Sequence, residues 1–152
     1  MTARPVMLGA DPGSNGGLAL VYDDGTAEVA KMPEGETDTL DLCREFAGRW
    51  LVGVPSATVE FVRSSPQMGV ASAFTFGRGY GTLRTALLAA GFRVSEVTPA
   101  KWQGGLGCRS GGDKGLLKRK AQELFPRLLG DEKVFLWNAD ALLIAEWGRR
   151  QR

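Results

Sequence analysis

The sequence contains no histidine. That absence removes imidazole from every role: no serine–histidine triad, no imidazole general base, and no zinc centre of the usual histidine-bearing kind. Cysteine is scarce too. Cys43 and Cys108 stand far apart, outside any metal-binding spacing. No apolar run approaches the roughly 20 residues of a membrane-spanning helix. Val6 to Ala10 is too short for the apolar core of a secretory leader, so the expectation is a cytoplasmic protein with no membrane partner. Acid–base or metal chemistry must then come from carboxylates, lysine, tyrosine or thiol.

The chain has 152 residues, which suits one domain, 1–152, with one sizeable core. Its formal net charge is only +2, but the charge is unevenly spread. Residues 61–120 carry ten basic residues against two acidic ones, whereas residues 21–60 carry nine acids against three bases. The basic middle is a candidate surface for a polyanion, nucleic acid being the commonest. Its candidate DNA contacts are Arg63, Arg78, Lys101, Arg109, Lys114, Lys118 and Arg119. A solvated helix face accounts for such a run equally well.

The chain is organised around V-M-L-G-A-D-P-G-S-N-G-G-L-A-L-V-Y, Val6 to Tyr22. Two short apolar runs flank a cluster of turn formers, which reads as a hairpin of two strands. Asp11 stands where the first strand runs out, on the face shared by Met7 and Gly9. A carboxylate there is costly to desolvate unless it is paired or metal-bound; the plainer role is a turn-forming aspartate before Pro-Gly. Ala27 to Met32 reads as a third strand. Thr37 or Asp38 can cap a helix to about Val52 with Leu42, Cys43, Phe46 and Trp50 inward, making Cys43 a core thiol. Ala57 to Val62 is a fourth strand, and Glu60 interrupts its core face.

Val70 to Ala90 reads as a helix containing Gly77, Gly79 and Gly81, each a loss of about 1 kcal/mol against alanine in a helix interior. That cost suggests close backbone approach, to another helix or to a ligand. Phe74, Phe76 and Tyr80 fit a dimer contact, a core, or stacking on bases. Arg93 to Val97 is a fifth strand. Lys101 to Gly112 reads as a mobile glycine-rich loop, and Asp113 caps a helix to about Phe125. A last helix, about Leu136 to Arg149, carries Asp140 on the apolar face of Leu143, Ile144 and Trp147. The order β-β-β-α-β-α-β is an α/β domain. Three acids thus stand at core-facing positions: Asp11, Glu60 and Asp140. Hard cations such as Mg²⁺ take oxygen ligands, and converging carboxylates can hold two of them for phosphoryl transfer. Three unrelated polar exceptions, each hydrogen-bonded, is the plainer alternative.

The order strand-Asp, strand-Glu, helix-Asp resembles that of the RNase H-like nucleases. More narrowly, the chain resembles the RuvC-type Holliday junction resolvases, above all their phage and organellar branch. The matching stretches are L-G-A-D-P-G (8–13), V-E-F-V (59–62), S-A-F-T-F-G-R-G-Y-G (72–81), V-T-P-A-K-W (97–102), D-K (113–114), E-L-F-P (123–126) and A-D-A-L-L-I-A-E-W-G (139–148). They span nearly the whole chain in order. The resemblance implies an RNase H-like fold with a five-stranded mixed sheet, three antiparallel strands then two parallel, flanked by helices. It implies a homodimer that nicks four-way DNA junctions symmetrically with Mg²⁺, for which Mn²⁺ can substitute. Asp11 would bridge two ions, Glu60 and Asp140 would each complete one site, and Lys114 would serve the scissile phosphate or the leaving oxygen. An ordinary lysine at a helix N-terminus is the alternative for Lys114.

One departure stands out. Cellular relatives place an Asp or His three residues before the last acid, where this chain has Trp137. The phage and organellar branch often has an Asp-His pair four to five residues before it, where this chain has Phe135 and Leu136. Asp131 and Glu132 are the nearest acids and would substitute only if that link folds back. Two other functions stay open: a branched-DNA-binding protein with weak or no cleavage, which the missing ligand motivates, and an actin- or sugar-kinase-like ATP-binding domain, whose phosphate loop also follows a strand-Asp-x-Gly but which normally needs two such domains.

Overall fold

The computed structural model describes residues 2–152. Three strands come first: β1 Pro5–Asp11, β2 Gly17–Tyr22 and β3 Ala27–Lys31. They are followed by α1 Glu36–Ala47, β4 Ser56–Glu60, α2 Val70–Ala89 and β5 Arg93–Val97. The chain finishes with α3 Pro99–Gly105, α4 Lys114–Leu124 and α5 Leu136–Arg150. The sheet order is β3-β2-β1-β4-β5. β1 pairs antiparallel with β2, and β2 with β3; β1 pairs parallel with β4, and β4 with β5. This is the five-stranded mixed sheet the resemblance implies.

Strand alternation sorts the core into two layers. Leu8, Ala10, Leu18 and Leu20 face α1 and α2, where Cys43, Phe46, Leu83 and Leu87 meet them. Burial pushes the Cys43 thiol up to about 11, in keeping with a core thiol. Met7, Ala19 and Val21 face the other way, onto Leu142, Leu143 and Ile144 of α5. α5 reaches the sheet closely because β1 gives it Gly9. A methyl group at Gly9 would collide with the carbonyl oxygen of Ala141 and the side chain of Ala145. Every residue from Asn138 to Gly148 is buried, because α3 and α4 cover the side of α5 that the sheet does not. α5 is therefore apolar nearly all round, as a buried helix should be. Its buried Glu146 is paired with Arg149 and Arg150 at 2.7 and 2.9 Å.

Three sequence expectations need correction. α1 starts one residue after Gly35 and stops at Ala47, not near Val52. Gly48 caps it, and Leu51 and Val52 are exposed in the following loop. Trp50 still packs, edge-on against Phe92 at 5.6 Å. β4 ends at Glu60, not Val62. Most consequentially, residues 101–105 are helical and not a mobile loop. Thr98 caps α3, Pro99 opens it, and Trp102 is wholly buried.

Candidate active site

β1 and β4 run parallel, with Gly9 beside Thr58 and Ala10 beside Val59. One further step along that register sets Asp11 next to Glu60, both at the carboxyl ends of their strands. Period two sends both side chains to the α5 face, the side where Thr58 donates to the Met7 sulfur and where Gly148 packs. α5 brings Asp140 to the same place from the opposite layer. Its start is pinned by Asn138, which accepts from the Phe135 backbone N–H at 2.8 Å and donates to the Lys133 carbonyl at 2.9 Å. The turn after β1 folds back tightly, since any side chain at Gly16 would strike the carbonyl oxygen of Asp11.

The three acids feel one another. Asp11 is pushed up to about 8, first by burial and then by the charges of Asp140 and Glu60; Lys114 only partly offsets them. No side-chain hydrogen bond serves Asp11 among the described residues. Glu60 is raised by burial, against the lowering effect of a hydrogen bond from Trp102. That bond runs from the indole Nε1 to Oε2 at 2.7 Å. Asp140 is 5 % exposed and accepts from Lys114 Nζ at 2.7 Å through Oδ2. Burial would lower the Lys114 ammonium, but the hydrogen bond and the surrounding acids hold it above its ordinary value.

All the donors here are hard oxygens, and Asp11 is a desolvated carboxyl group with no side-chain hydrogen-bond partner among the described residues. That chemistry fits a hard divalent ion. The cluster is nevertheless open. Among the described residues no three acids, thiols or imidazoles stand in the close array of a preformed ion site. Lys114 takes one oxygen of Asp140, and Trp102 takes one of Glu60.

Asp11, Asp140 and Lys114 open into a cleft of about 1190 Å³. Its walls are the turn 12–16, the loop after β3, the first half of α2, and Leu136 with Trp137. Trp137 packs against β2: a methyl group at Gly17 would meet its ring at 3.0 Å, and Lys31 sits 5.6 Å over the same ring. The position where the resemblance leads one to expect a further ligand is thus filled by a packed indole. Phe135 and Leu136 are 45 % and 59 % exposed. The link does not fold back to bring Asp131 and Glu132 into the cleft. It is tied to the edge of β3 through a bridge between Ala27 and Leu128, and both acids are exposed outside the cleft lining.

Of the basic residues singled out, Lys114 and Arg78 line the cleft, Arg78 with Glu36 at 3.4 Å. Arg63, Lys101, Arg109, Lys118 and Arg119 lie outside it. Arg63 stands 5.4 Å over the Phe61 ring and Lys101 stands 5.8 Å over the Trp147 ring. The aromatic residues of α2 divide. Phe76 stacks on Tyr80 at 6.4 Å, and Tyr80 meets Phe61 edge-on at 6.2 Å, so these pack within the chain. Phe74 is 72 % exposed. A methyl group at Gly77, Gly79 or Gly81 would meet nothing within 4 Å, so the chain itself does not make the close approach those glycines permit. Sequence reasoning missed the role of Trp102. Its signal was a tryptophan in P-A-K-W, but nothing local marks its acceptor, 42 residues away.

No family model matches the chain, and no curated protein sequence matches it. Solved structures do. Thermus thermophilus RuvC superposes with a TM-score of 0.64 at 20 % identity, covering 95 % of each chain. The same protein in complex with Holliday junction substrate gives 0.62 at 20 % identity, covering 95 % of this chain and 94 % of that one. The chain has the RuvC fold. The yeast mitochondrial Holliday junction resolvase Ydc2 is more distant, at a TM-score of 0.49 and 14 % identity over 98 % of this chain and 80 % of that one. In this chain the ends of β1 and β4 and the start of α5 each carry an acid, and Asp11 and Asp140 line the cleft.

Proposed function

We propose that this protein is a metal-dependent, structure-selective endonuclease that cuts four-way DNA junctions by paired nicks, working as a homodimer. The observation that carries this is the electrostatic proximity of Asp11, Glu60 and Asp140 on one face of a RuvC fold, beside a cleft lined by Asp11, Asp140 and Lys114. The Thermus thermophilus neighbour bound to Holliday junction substrate supports branched DNA as the partner. Asp11, Glu60 and Asp140 are the residues that would hold Mg²⁺ or Mn²⁺. When bound, such an ion supplies Lewis-acid polarisation of a phosphoryl oxygen and an activated water.

The chain's own groups do the rest. Asp11 has no competing donor, which leaves it available to a cation. Lys114 has an exposed stem, so its ammonium can swing from Asp140 to a phosphate oxygen or a leaving oxygen. Arg78, on the α2 side of the cleft, would hold the phosphodiester strand, with Arg63, Lys101, Arg109, Lys118 and Arg119 as contacts to the outlying arms. Paired nicks need two sites related by a twofold axis, and a twofold dimer is the commonest assembly. Val70, Phe74, Gly77 and Gly81 form an uncovered stripe along α2 that suits that contact.

Asp11→Asn, Glu60→Gln and Asp140→Asn should each abolish cutting of a labelled junction while leaving junction binding intact or stronger, since each removes negative charge near phosphate. Wild-type cutting by any of the three would remove that residue from the site. The second reading, a junction binder with weak cleavage, is favoured by one observation: Trp137 is packed on Gly17 where a fourth ligand would stand. Under it, the parent itself binds junctions tightly and cuts them only at high Mn²⁺.

A further inference from the structure

Glu60 is a carboxyl group in a dry place, and its only side-chain partner among the described residues is the indole of Trp102. We propose that Trp102 is a positioning residue for Glu60: its N–H holds Oε2, so that Glu60 turns a single free oxygen, Oε1, toward a bound divalent cation. The inference rests on the metal-dependent reading above and names a group that acts through Glu60 without touching the ion.

The geometry is tightly framed. Glu60 pairs in register with Val97 at the end of β5, and the Phe61 backbone N–H donates to the Val97 carbonyl at 2.7 Å. α3 begins two residues later, with its first turn preset by Pro99 and capped by Thr98. Trp102 is therefore tethered five residues beyond the strand partner of the acid it serves. α3 is itself pressed onto α5: a methyl group at Gly105 would lie 2.8 Å from Trp147 Nε1. Trp102 is 0 % exposed and Glu60 is 8 % exposed, so neither has water as an easy alternative partner. A donor–acceptor distance of 2.7 Å is at the short end of the range for an N–H···O hydrogen bond. The same bond opposes the effect of burial on Glu60 and favours its charged form. A buried indole N–H needs some acceptor, and the one that Trp102 has is a carboxylate oxygen of the candidate site rather than a backbone carbonyl.

Orienting partners of ligating side chains typically matter by 10–100-fold in metal affinity. Calorimetric titration of the full-length protein with Mn²⁺ should therefore show Trp102→Phe binding about 10–100-fold more weakly than the parent, with Glu60→Gln weaker still. Unchanged affinity in a folded Trp102→Phe protein overturns the proposal and leaves Trp102 as core. Should that variant not fold, the parent supplies the readout. In a ¹⁵N-indole spectrum, with Trp50, Trp137 and Trp147 assigned through their Phe variants, the remaining Trp102 resonance should shift on saturation with Mg²⁺. A resonance that stays in place at saturation overturns the proposal. A parent that binds neither ion overturns the metal-dependent reading along with it, whereas normal parent binding beside an unaffected Trp102→Phe overturns only the role of Trp102.

Discussion

In the metal-free protein Asp11 is held mostly protonated at neutral pH, because burial and two neighbouring acids push it up to about 8. The folded state thus binds this proton more tightly than the unfolded chain does. Linkage gives the sign: stability from the group is full below its ordinary value of 3.8 and is lost as pH climbs toward 8. Asp11→Asn removes that loss. Without divalent ions, the variant should melt a few degrees above the parent at pH 8 and differ little from it at pH 4, each kcal/mol being worth about 2–4 °C in a chain of this size. A variant that melts below the parent at pH 8 would show that Asp11 is ionised and already satisfied. The three acids were legible in the sequence because each breaks an apolar pattern at a core-facing position. Their partners were not. Lys114 reaches Asp140 across 26 residues, and Trp102 reaches Glu60 across 42. No periodicity encodes such pairs, which exist only once the layers have closed.

At the level of elements, the β1–α5 contact sets the site, since it carries two of the three acids on facing backbones. Gly9 permits that contact. Gly9→Ala should destabilise the protein by about 1–3 kcal/mol or more, as an overpacked core does, because the obstacle is helix backbone and not a movable side chain. Thermal or urea unfolding checks this, and a neutral result would mean that α5 sits further from β1 than described. Strands were the readable part of the chain, their apolar runs being short and bounded by turn formers. Helix ends were less so: Trp50 and Val52 continued a helical pattern that Gly48 had already ended. Residues 101–105 misled for a different reason, while 106–112 are the turns and irregular chain expected. Glycine there serves close packing in α3, with Gly104 beside the Arg109 guanidinium and Gly105 against Trp147. Composition alone does not separate a glycine that loosens a chain from one that lets two elements touch.

For the molecule as a whole, function depends on what two surfaces meet. The basic residues outside the cleft should make junction binding strongly salt-dependent, with a log–log slope of about −0.9 for each phosphate neutralised. Replacing Lys118 and Arg119 by alanine should reduce that slope by about 1 to 2; an unchanged slope would mark α4 as a merely solvated face. The stripe on α2 should be the twofold contact. Phe74→Asp, at an exposed position, should leave the melting temperature of the monomer nearly unchanged while sedimentation shows the dimer lost at micromolar concentration. A parent that sediments only as monomer would remove the dimer. The central claim, that three acids on a RuvC fold cut branched DNA with a divalent ion, is tested most directly by a four-way junction labelled in turn on each strand. Incubated with the protein and Mg²⁺ or Mn²⁺, it should yield nicks at symmetric positions in two opposed strands, more strongly with Mn²⁺, and none with EDTA or with Asp11→Asn. Cutting that survives EDTA, or an intact junction at every concentration of both ions, would contradict it.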